Sequence, residues 1–202
     1  MKTITLITLL FLGMHSVGQN NLLFTKVFSD PSNFDITTSM ENVRPKVLYV
    51  LNRTEKWNKY RFHIDKDLTS DSVRHEMEND EHSPYNHSYL FKDSALDQLF
   101  SKAEKDKLHR KALSIEPRQL TGKSSQYKLT TFENTKDGFF FALTDPIFTS
   151  DRKYAFIDMY TLKRDEDTEK LNDTYFGTTL LIYQNIKGKG WTRIDKIERL
   201  IL

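Results

Sequence analysis

The segment YAFIDMYTL (Tyr154–Leu162) decides the fold, together with FGTTLLIYQNI (Phe176–Ile186) and WTRIDKIERLIL (Trp191–Leu202), which follow it along the chain. All three are rich in aromatic and β-branched side chains, a composition typical of β-strands. In Tyr154–Leu162 both alternating faces are largely apolar, which predicts a central strand covered on each side. The last segment is ambiguous, because isoleucines also recur there at helical spacing. A helical piece or a β-bulge is therefore the alternative to a regular strand around Ile194, Ile197 and Ile201.

Two further strands are predicted upstream, at Tyr127–Glu133 and Phe139–Thr144. The connectors between the strands are short and polar, which favours antiparallel hairpins because parallel pairing would need long crossovers. They lie at 134–138, 150–153 and 187–190. Lys46–Leu51 and Tyr60–Ile64 also have strand character, and the polar piece between them favours another hairpin.

A helical region is predicted between 94 and 113. Its apolar residues Leu96, Leu99, Phe100 and Ala103 would form one stripe of a helix. Ser101 and Glu104 have the spacing of a capping box, which marks the start of a helix. The sequence therefore fits two helices, near 94–100 and 102–113, as well as it fits one continuous helix. Residues 67–93 are polar and turn-rich and predict a loop with at most one turn of helix.

These elements predict an α+β fold: a C-terminal antiparallel β-sheet of about four to five strands, packed with one or two helices. Residues 19–202 have the length of one ordinary domain.

The first eighteen residues have the features of an export signal. Lys2 supplies a positive start, an apolar run covers 4–14, and small residues Ser16 and Gly18 precede the expected cleavage point. The run is too short to cross a hydrocarbon core of about 30 Å. We therefore expect cleavage after Gly18, no membrane insertion of the mature chain, and a periplasmic or extracellular location.

Composition excludes several functional classes. The chain has no cysteine, so thiol nucleophiles, cysteine-based metal sites and disulfides are excluded. Its formal charge is only +2, which argues against a nucleic-acid partner bound through net charge. No phosphate-binding glycine loop or nucleophile elbow occurs, so no cofactor is expected, and the oligomeric state is left open.

Three segments carry a resemblance: Phe100–Glu104, Asp145–Ala155 and the tail Ile186–Ile194. In these the C-terminal half resembles a group of small exported proteins of unknown function from Bacteroidetes-type bacteria. The long polar piece Arg164–Asp173 departs from that group. The resemblance implies export and a β-rich domain, and it implies no activity. At the level of fold alone, the chain is also similar to nuclear-transport-factor-2-like domains, which pack helices on a curved antiparallel sheet.

His75 and His82 are the candidate metal ligands, because they lie among several carboxylates, and imidazoles with carboxylates are what zinc binds. The two histidines are seven residues apart, however, and do not form the helical His-Glu-x-x-His pair. The simpler interpretation is a solvated acidic loop without a metal.

Asp158 is the candidate catalytic residue. It lies in the middle of an apolar strand, where an unpaired charge would be costly. It is either a general base in an apolar pocket or, more simply, a carboxylate with a structural partner.

The resulting hypothesis is a non-enzymatic exported protein that binds a partner protein or a small ligand. The alternative is an exported hydrolase, either metal-assisted through His75 and His82 or using the pocket carboxylate of Asp158.

Overall fold

The computed structural model describes residues 21–37, 42–58, 62–66, 70–80, 98–122, 124–135, 138–165 and 169–200. The expected signal, 1–18, lies outside these ranges. Helix α1 is present over 21–29, followed by α2 (Asp71–Asn79) and α3 (Lys102–Ser114). The strands are β1 (Ile36–Thr37), β2 (Asn42–Val43), β3 (Leu48–Leu51), β4 (Tyr127–Thr130), β5 (Gly138–Leu143), β6 (Ile147–Phe148), β7 (Tyr154–Arg164), β8 (Tyr175–Ile186) and β9 (Gly190–Leu200). Short 3-10 turns occupy Pro31–Phe34 and Leu171–Thr174.

Seven strands form the main sheet, in the order β4-β3-β5-β7-β8-β9, with β6 paired to β7. Strands β1 and β2 pair separately. The α+β class and the mostly antiparallel sheet are confirmed. The expected four to five strands were too few, because β3 and β6 also join the sheet. Strand β3 lies within the segment Lys46–Leu51, whose strand character the sequence indicated, whereas β6 has only two residues.

Strands β7, β8 and β9 form the antiparallel centre and one edge of the sheet, and β8 is joined to β9 by a turn at the predicted connector 187–190. As predicted for a central strand, β7 is buried on both faces. In β9 the pairing shifts, because Tyr183 pairs with Arg193 while Ile182 pairs with Asp195, which leaves Ile194 as an extra residue. The last segment is therefore a bulged strand.

Strand β3 runs parallel to both β4 and β5 and lies between them. Two predicted hairpins are therefore wrong: Lys46–Leu51 with Tyr60–Ile64, and Tyr127–Glu133 with Phe139–Thr144. The chain leaves β3 through α2 and α3 before it returns, and this helical crossover is long enough for parallel pairing. Phe62 and Ile64 instead lie in non-strand backbone, buried beneath α3.

Helix α3 begins where the capping box predicts: the Ser101 hydroxyl accepts a hydrogen bond from the Glu104 amide at 3.3 Å. The predicted stripe is only partly right: Phe100 is buried, but Leu99 and Ala103 are exposed, and the buried face of the helix consists of Lys105, Leu108 and Ala112. Most of the alternative first helix, including Leu96, lies outside the described residues.

Helix α2 corrects the prediction of a loop over 67–93, since nine residues of that segment are helical. Val73 is its one buried side chain. Contacts within the helix support it: Arg74 pairs with Asp71 one turn earlier, and the Asn79 amide contacts His75. The helix is so polar that its apolar periodicity is nearly absent from the sequence.

The two faces of the sheet bury different layers. On one face, α1 and the turn at Pro31–Phe34 pack over Phe141, Ile157 and Leu181. On the other face, α3 and the segment around Phe62 pack over Phe156, Leu180 and Ile182. Because successive side chains of β7 and β8 point to opposite faces of the sheet, each strand contributes side chains to both layers.

Candidate functional site

A cleft of about 230 Å³ lies between α1 and the chain that leads into β4. We call it the Arg118 cleft. It is partly open to solvent and is lined by Asn21, Phe24, Thr25, Phe28, Arg118, Leu120, Thr121, Tyr127 and Leu129. The lining combines five aromatic and aliphatic side chains with three neutral polar residues and one cation.

Helix α1 forms one wall of the Arg118 cleft. Phe24 and Phe28 lie one helical turn apart, with their ring centroids separated by 6.2 Å. Phe28 also stacks on Tyr127 of β4, with centroids 4.0 Å apart. Near the rim, the Thr25 hydroxyl donates to the carbonyl of Asn21 at 2.9 Å. The wall therefore has an apolar interior and a polar edge.

The opposite wall is held by backbone hydrogen bonds to the end of β3. The Leu120 amide donates to the Asn52 carbonyl at 2.7 Å, and the Asn52 amide donates to Thr130 of β4 at 2.8 Å. Thr54 and Arg118 exchange their own pair, from the Thr54 amide to the Arg118 carbonyl and from the Arg118 amide to the Thr54 hydroxyl. Arg118 is therefore presented from a fixed backbone.

The side chain of Arg118 is held by Asp145. Its Nε donates to both carboxylate oxygens of Asp145, at 2.7 and 2.8 Å. The guanidinium also lies over the ring of Phe24, 5.7 Å from the centroid. About 37% of the Arg118 side chain remains exposed.

Asp145 is buried behind the cleft. Burial raises the pKa of its carboxyl group above the ordinary value, and the charge of Arg118 opposes that rise. Its backbone carbonyl accepts a hydrogen bond from the indole of Trp57 at 2.8 Å. These contacts fix the carboxylate and, through it, the guanidinium.

One nitrogen of the Arg118 guanidinium, Nη2, is buried and lacks a hydrogen-bond partner among the residues that the structure describes. Buried donors are nearly always paired, with protein, water or a ligand. Nη2 lies on the same edge of the guanidinium as Nε, which faces Asp145, so this buried donor is not presented to the cleft.

Asp158 is buried at the centre of the sheet, with only 1% of its surface exposed. It pairs with Leu180 in β8, and its amide donates to the Thr144 hydroxyl at 3.0 Å. By strand alternation it shares the face of Phe156, opposite to the face that carries the Arg118 cleft. Asp158 does not line this cleft, and its role as a general base stays a prediction.

His75 is exposed on α2, and the Asn79 side-chain nitrogen lies 2.9 Å from its Nδ1. His82 lies outside the described residues, so the metal hypothesis that joins the two also stays a prediction. Within the described part of the chain, no group of three His, Asp or Glu residues is placed to hold a metal ion.

A second polar cluster was missed by the sequence analysis. His109 of α3 has its Nδ1 2.8 Å from the carbonyl of Phe62 and 3.0 Å from Asp65 Oδ1. Its ring is also stacked near His63, with centroids 6.1 Å apart. The Nδ1 hydrogen is donated to the Phe62 carbonyl, because Asp65 Oδ1 accepts no hydrogen bond from the described residues. The cluster ties the segment 62–66 to α3.

Sequence reasoning also missed every residue of the Arg118 cleft. One signal was available, since Leu23, Phe24, Val27 and Phe28 have the spacing of an amphipathic helix. Arg118 carries no local signal, because its partner Asp145 is distant in sequence.

Comparisons with known proteins gave no match: no family model, curated protein or solved structure is similar to this chain. The resemblance to exported Bacteroidetes-type proteins therefore stays a prediction. Within the described ranges, no helix has both the length and the apolar character needed to span a membrane.

Proposed function

We propose that this protein is an exported, non-enzymatic binding protein that holds a small ligand with an apolar body in the Arg118 cleft. The observation that carries the proposal is the cleft itself, a space lined by aromatic and aliphatic side chains beside the partly exposed cation of Arg118. Its walls are already held by hydrogen bonds and ring stacking, so binding requires little further ordering of the protein.

The size of the cleft limits the ligand. Its volume of about 230 Å³ is below the range of about 300–1,000 Å³ that accommodates drug-sized molecules. Since a water molecule takes about 30 Å³ of liquid volume, the space corresponds to seven or eight waters, or a ligand of about ten non-hydrogen atoms. Such a ligand is expected to bind with a Kd on the order of 1 mM.

Binding is tested with the chain that begins at Gln19 and with 2-phenylethanol as a neutral probe, followed by NMR of the labelled protein. Resonances of Phe24 and Tyr127 should shift with saturation. Thr25→Trp fills the cleft and should abolish the shifts. Lys26→Trp, an exposed neighbour on α1 outside the lining, is the matched control and should retain them. Shifts that persist in Thr25→Trp would contradict the proposal.

Export has a separate test. The full-length chain is produced in a Gram-negative bacterium, and the N-terminus of the protein is determined by mass spectrometry. Recovery from the periplasm or medium with residue 19 or a near neighbour first is expected. Intact chain beginning at Met1 in the cytoplasm would contradict export.

A further inference from the structure

We propose that the outer edge of β9 is a dimerisation surface, on which the β9 strands of two copies of this chain pair antiparallel about a two-fold axis at Ile197. The pairing joins the two seven-stranded sheets into one continuous sheet. It uses the edge of the sheet opposite to β4, so it is independent of ligand binding in the Arg118 cleft.

The two edges of the main sheet differ in length. Within the described part of the chain, the sheet ends at β4 on one side and at β9 on the other. Strand β4 has four residues, whereas β9 has eleven. The bulge at Ile194 divides β9, and beyond it the pairing with β8 runs without a break from Asp195 to Leu200. This regular piece presents outward-pointing amides and carbonyls, which are the groups that a further strand pairs with.

Lys196 and Glu198 give the regular piece of β9 a charge pattern that is complementary to itself. Both lie on the face that α1 covers, where Lys196 Nζ donates to the Ser32 carbonyl at 3.0 Å and forms an ion pair with Glu198. A two-fold axis at Ile197, perpendicular to the sheet, places Lys196 of each copy directly opposite Glu198 of the other. Because directly opposite residues are about 4.5–5.5 Å apart at Cβ, the axis creates two ion pairs across the interface.

The symmetry of the dimer leaves few registers, and the charges select among them. Opposite residues of an antiparallel pair lie on the same face of the sheet, so the axis must be level with a single residue, which then faces its own copy. An axis at Asp195, Lys196 or Glu198 would set two like charges directly opposite each other, which is destabilising. An axis nearer either end of the regular piece would pair fewer residues. The axis at Ile197 avoids both penalties.

Ile197 supplies the apolar centre of the interface. It pairs with Leu180 of β8 and lies on the face that α3 covers, at the margin of the layer that contains Phe156 and Ile182. Its side chain is only partly buried there. Ile197 of the second copy would cover this margin, so the apolar layer would continue from one copy into the other.

A second copy fits this edge better than an arbitrary strand. Charged side chains and a bulge on an edge strand disfavour pairing with other strands, because most incoming strands leave the charges unmatched. Lys196 and Glu198 are matched by a strand that carries the same two residues in reverse order, which an antiparallel copy of β9 does. The contact is short and largely polar, so we expect a weak dimer with a Kd on the order of 100 µM.

Charge reversal tests the register. The chain from Gln19 is studied by sedimentation equilibrium from about 10 µM to about 1 mM, a range that brackets the expected Kd. Glu198→Lys sets two cations opposite each other and should raise the Kd at least about tenfold. The double variant Lys196→Glu/Glu198→Lys restores opposite charges and should return the Kd to within about threefold of wild type. Glu116→Lys makes the same change in net charge at an exposed site outside β9, and as the matched control it should leave the Kd unchanged.

A cross-link tests the position of the axis. The chain has no cysteine, so Ile197→Cys introduces a single thiol. The two thiols of a dimer face each other across the axis at a separation that permits a disulfide, and mild oxidation should give a covalent dimer. Thr192→Cys, exposed on the same strand beyond the bulge, is the matched control and should cross-link at least about tenfold more slowly.

Three results would overturn the inference. One is a wild-type chain that stays monomeric up to about 1 mM, which would leave the edge of β9 to a strand of another protein. The second is a dimer that Glu198→Lys does not weaken, and the third is equal cross-linking at positions 192 and 197.

Discussion

At the scale of single residues, Asn33 is the centre of a buried hydrogen-bond network that no motif in the sequence indicates. It is fully buried, and its side-chain nitrogen donates to the Val27 carbonyl at 2.8 Å and to the Tyr183 hydroxyl at 3.0 Å. Arg193 of β9 donates to its side-chain oxygen. Burial raises the pKa of Tyr183 to about 12, so the hydroxyl stays protonated at every ordinary pH. Asn33 thereby joins α1, its following turn and two strands.

Asn33→Ala should therefore destabilise the protein by about 2–3 kcal/mol, because it removes the donor to the buried Tyr183 hydroxyl and one of the acceptors of Arg193, which keeps Ser32 and Asp30. Urea unfolding measures the change. The matched control is Asn134→Ala, which removes an exposed side chain that donates to the Thr131 hydroxyl and should cost less than about 0.5 kcal/mol. Equal effects of the two substitutions would show that the buried network contributes little.

Glu55 should make the stability of the protein depend on pH. Burial raises the pKa of its carboxyl group above the ordinary value, and the charge of Arg53 opposes this. Below the unfolded-state pKa of about 4.3, Glu55 is protonated in both the folded and the unfolded state, and its contribution to the free energy of unfolding is at its maximum. As the pH rises through the higher folded-state pKa, this contribution is lost. Glu55→Gln should therefore raise the Tm at pH 7 and flatten the decline in stability above about pH 4.3.

The measurement for Glu55 is thermal unfolding from pH 4 to pH 8. Glu116→Gln is the control, since Glu116 is an exposed carboxylate in a surface pair with Lys56 at 3.0 Å. It should leave the profile close to that of wild type. A lower Tm for Glu55→Gln at pH 7 would contradict the sign of the pKa shift.

At the scale of elements, the bulge in β9 explains an ambiguity in the sequence. Trp191 packs in the layer beneath α1, whereas Ile197 packs in the layer beneath α3. In a regular strand, Trp191 and Ile197 would lie on the same face, because they are an even number of residues apart. The extra residue Ile194 moves them to opposite faces. Because β9 is an edge of the sheet, the bulge also interrupts an otherwise long row of free backbone groups.

Helix α3 gives an element-scale prediction. Ser101→Ala removes the hydroxyl that accepts from the Glu104 amide, and loss of such a cap should cost about 1 kcal/mol. Ser114→Ala, in the last turn of the same helix, is the matched control and should cost less than about 0.5 kcal/mol, because its hydroxyl only donates to the Lys111 carbonyl. Urea unfolding of both variants checks the difference. A larger effect at Ser114 would mean that the cap is not what sets the start of the helix.

At the scale of the whole molecule, one sheet is shared by two apolar layers. Its central strands β7 and β8 contribute alternate side chains to each layer, so neither layer can lose its packing without exposing the other face of the same strands. We therefore expect the two layers to unfold together.

The two tryptophans test this directly, because Trp57 lies in the layer beneath α3 and Trp191 in the layer beneath α1. Trp57→Phe and Trp191→Phe each leave one reporter. In each variant, the fluorescence of the remaining tryptophan should give the same urea midpoint as circular dichroism, which reports the whole chain. A tryptophan transition that departs from the circular-dichroism transition of the same variant would show that the layers unfold independently.

Local sequence was enough to predict the strands β7 and β8, the turn after β8 and the start of α3 at Ser101, because alternation, turn residues and capping act between neighbours along the chain, whereas it left β9 open between a strand and a helical piece. Only the tertiary structure decided that β3 enters between β4 and β5, and that Arg118 meets Asp145 and Phe24 at a cleft. Such contacts join residues far apart in sequence, and local periodicity carries no information on which distant segment completes a sheet or a site. For the same reason the sequence singled out Asp158 and His75, whose residue types stand out locally, and missed Arg118, whose importance comes from its neighbours in space.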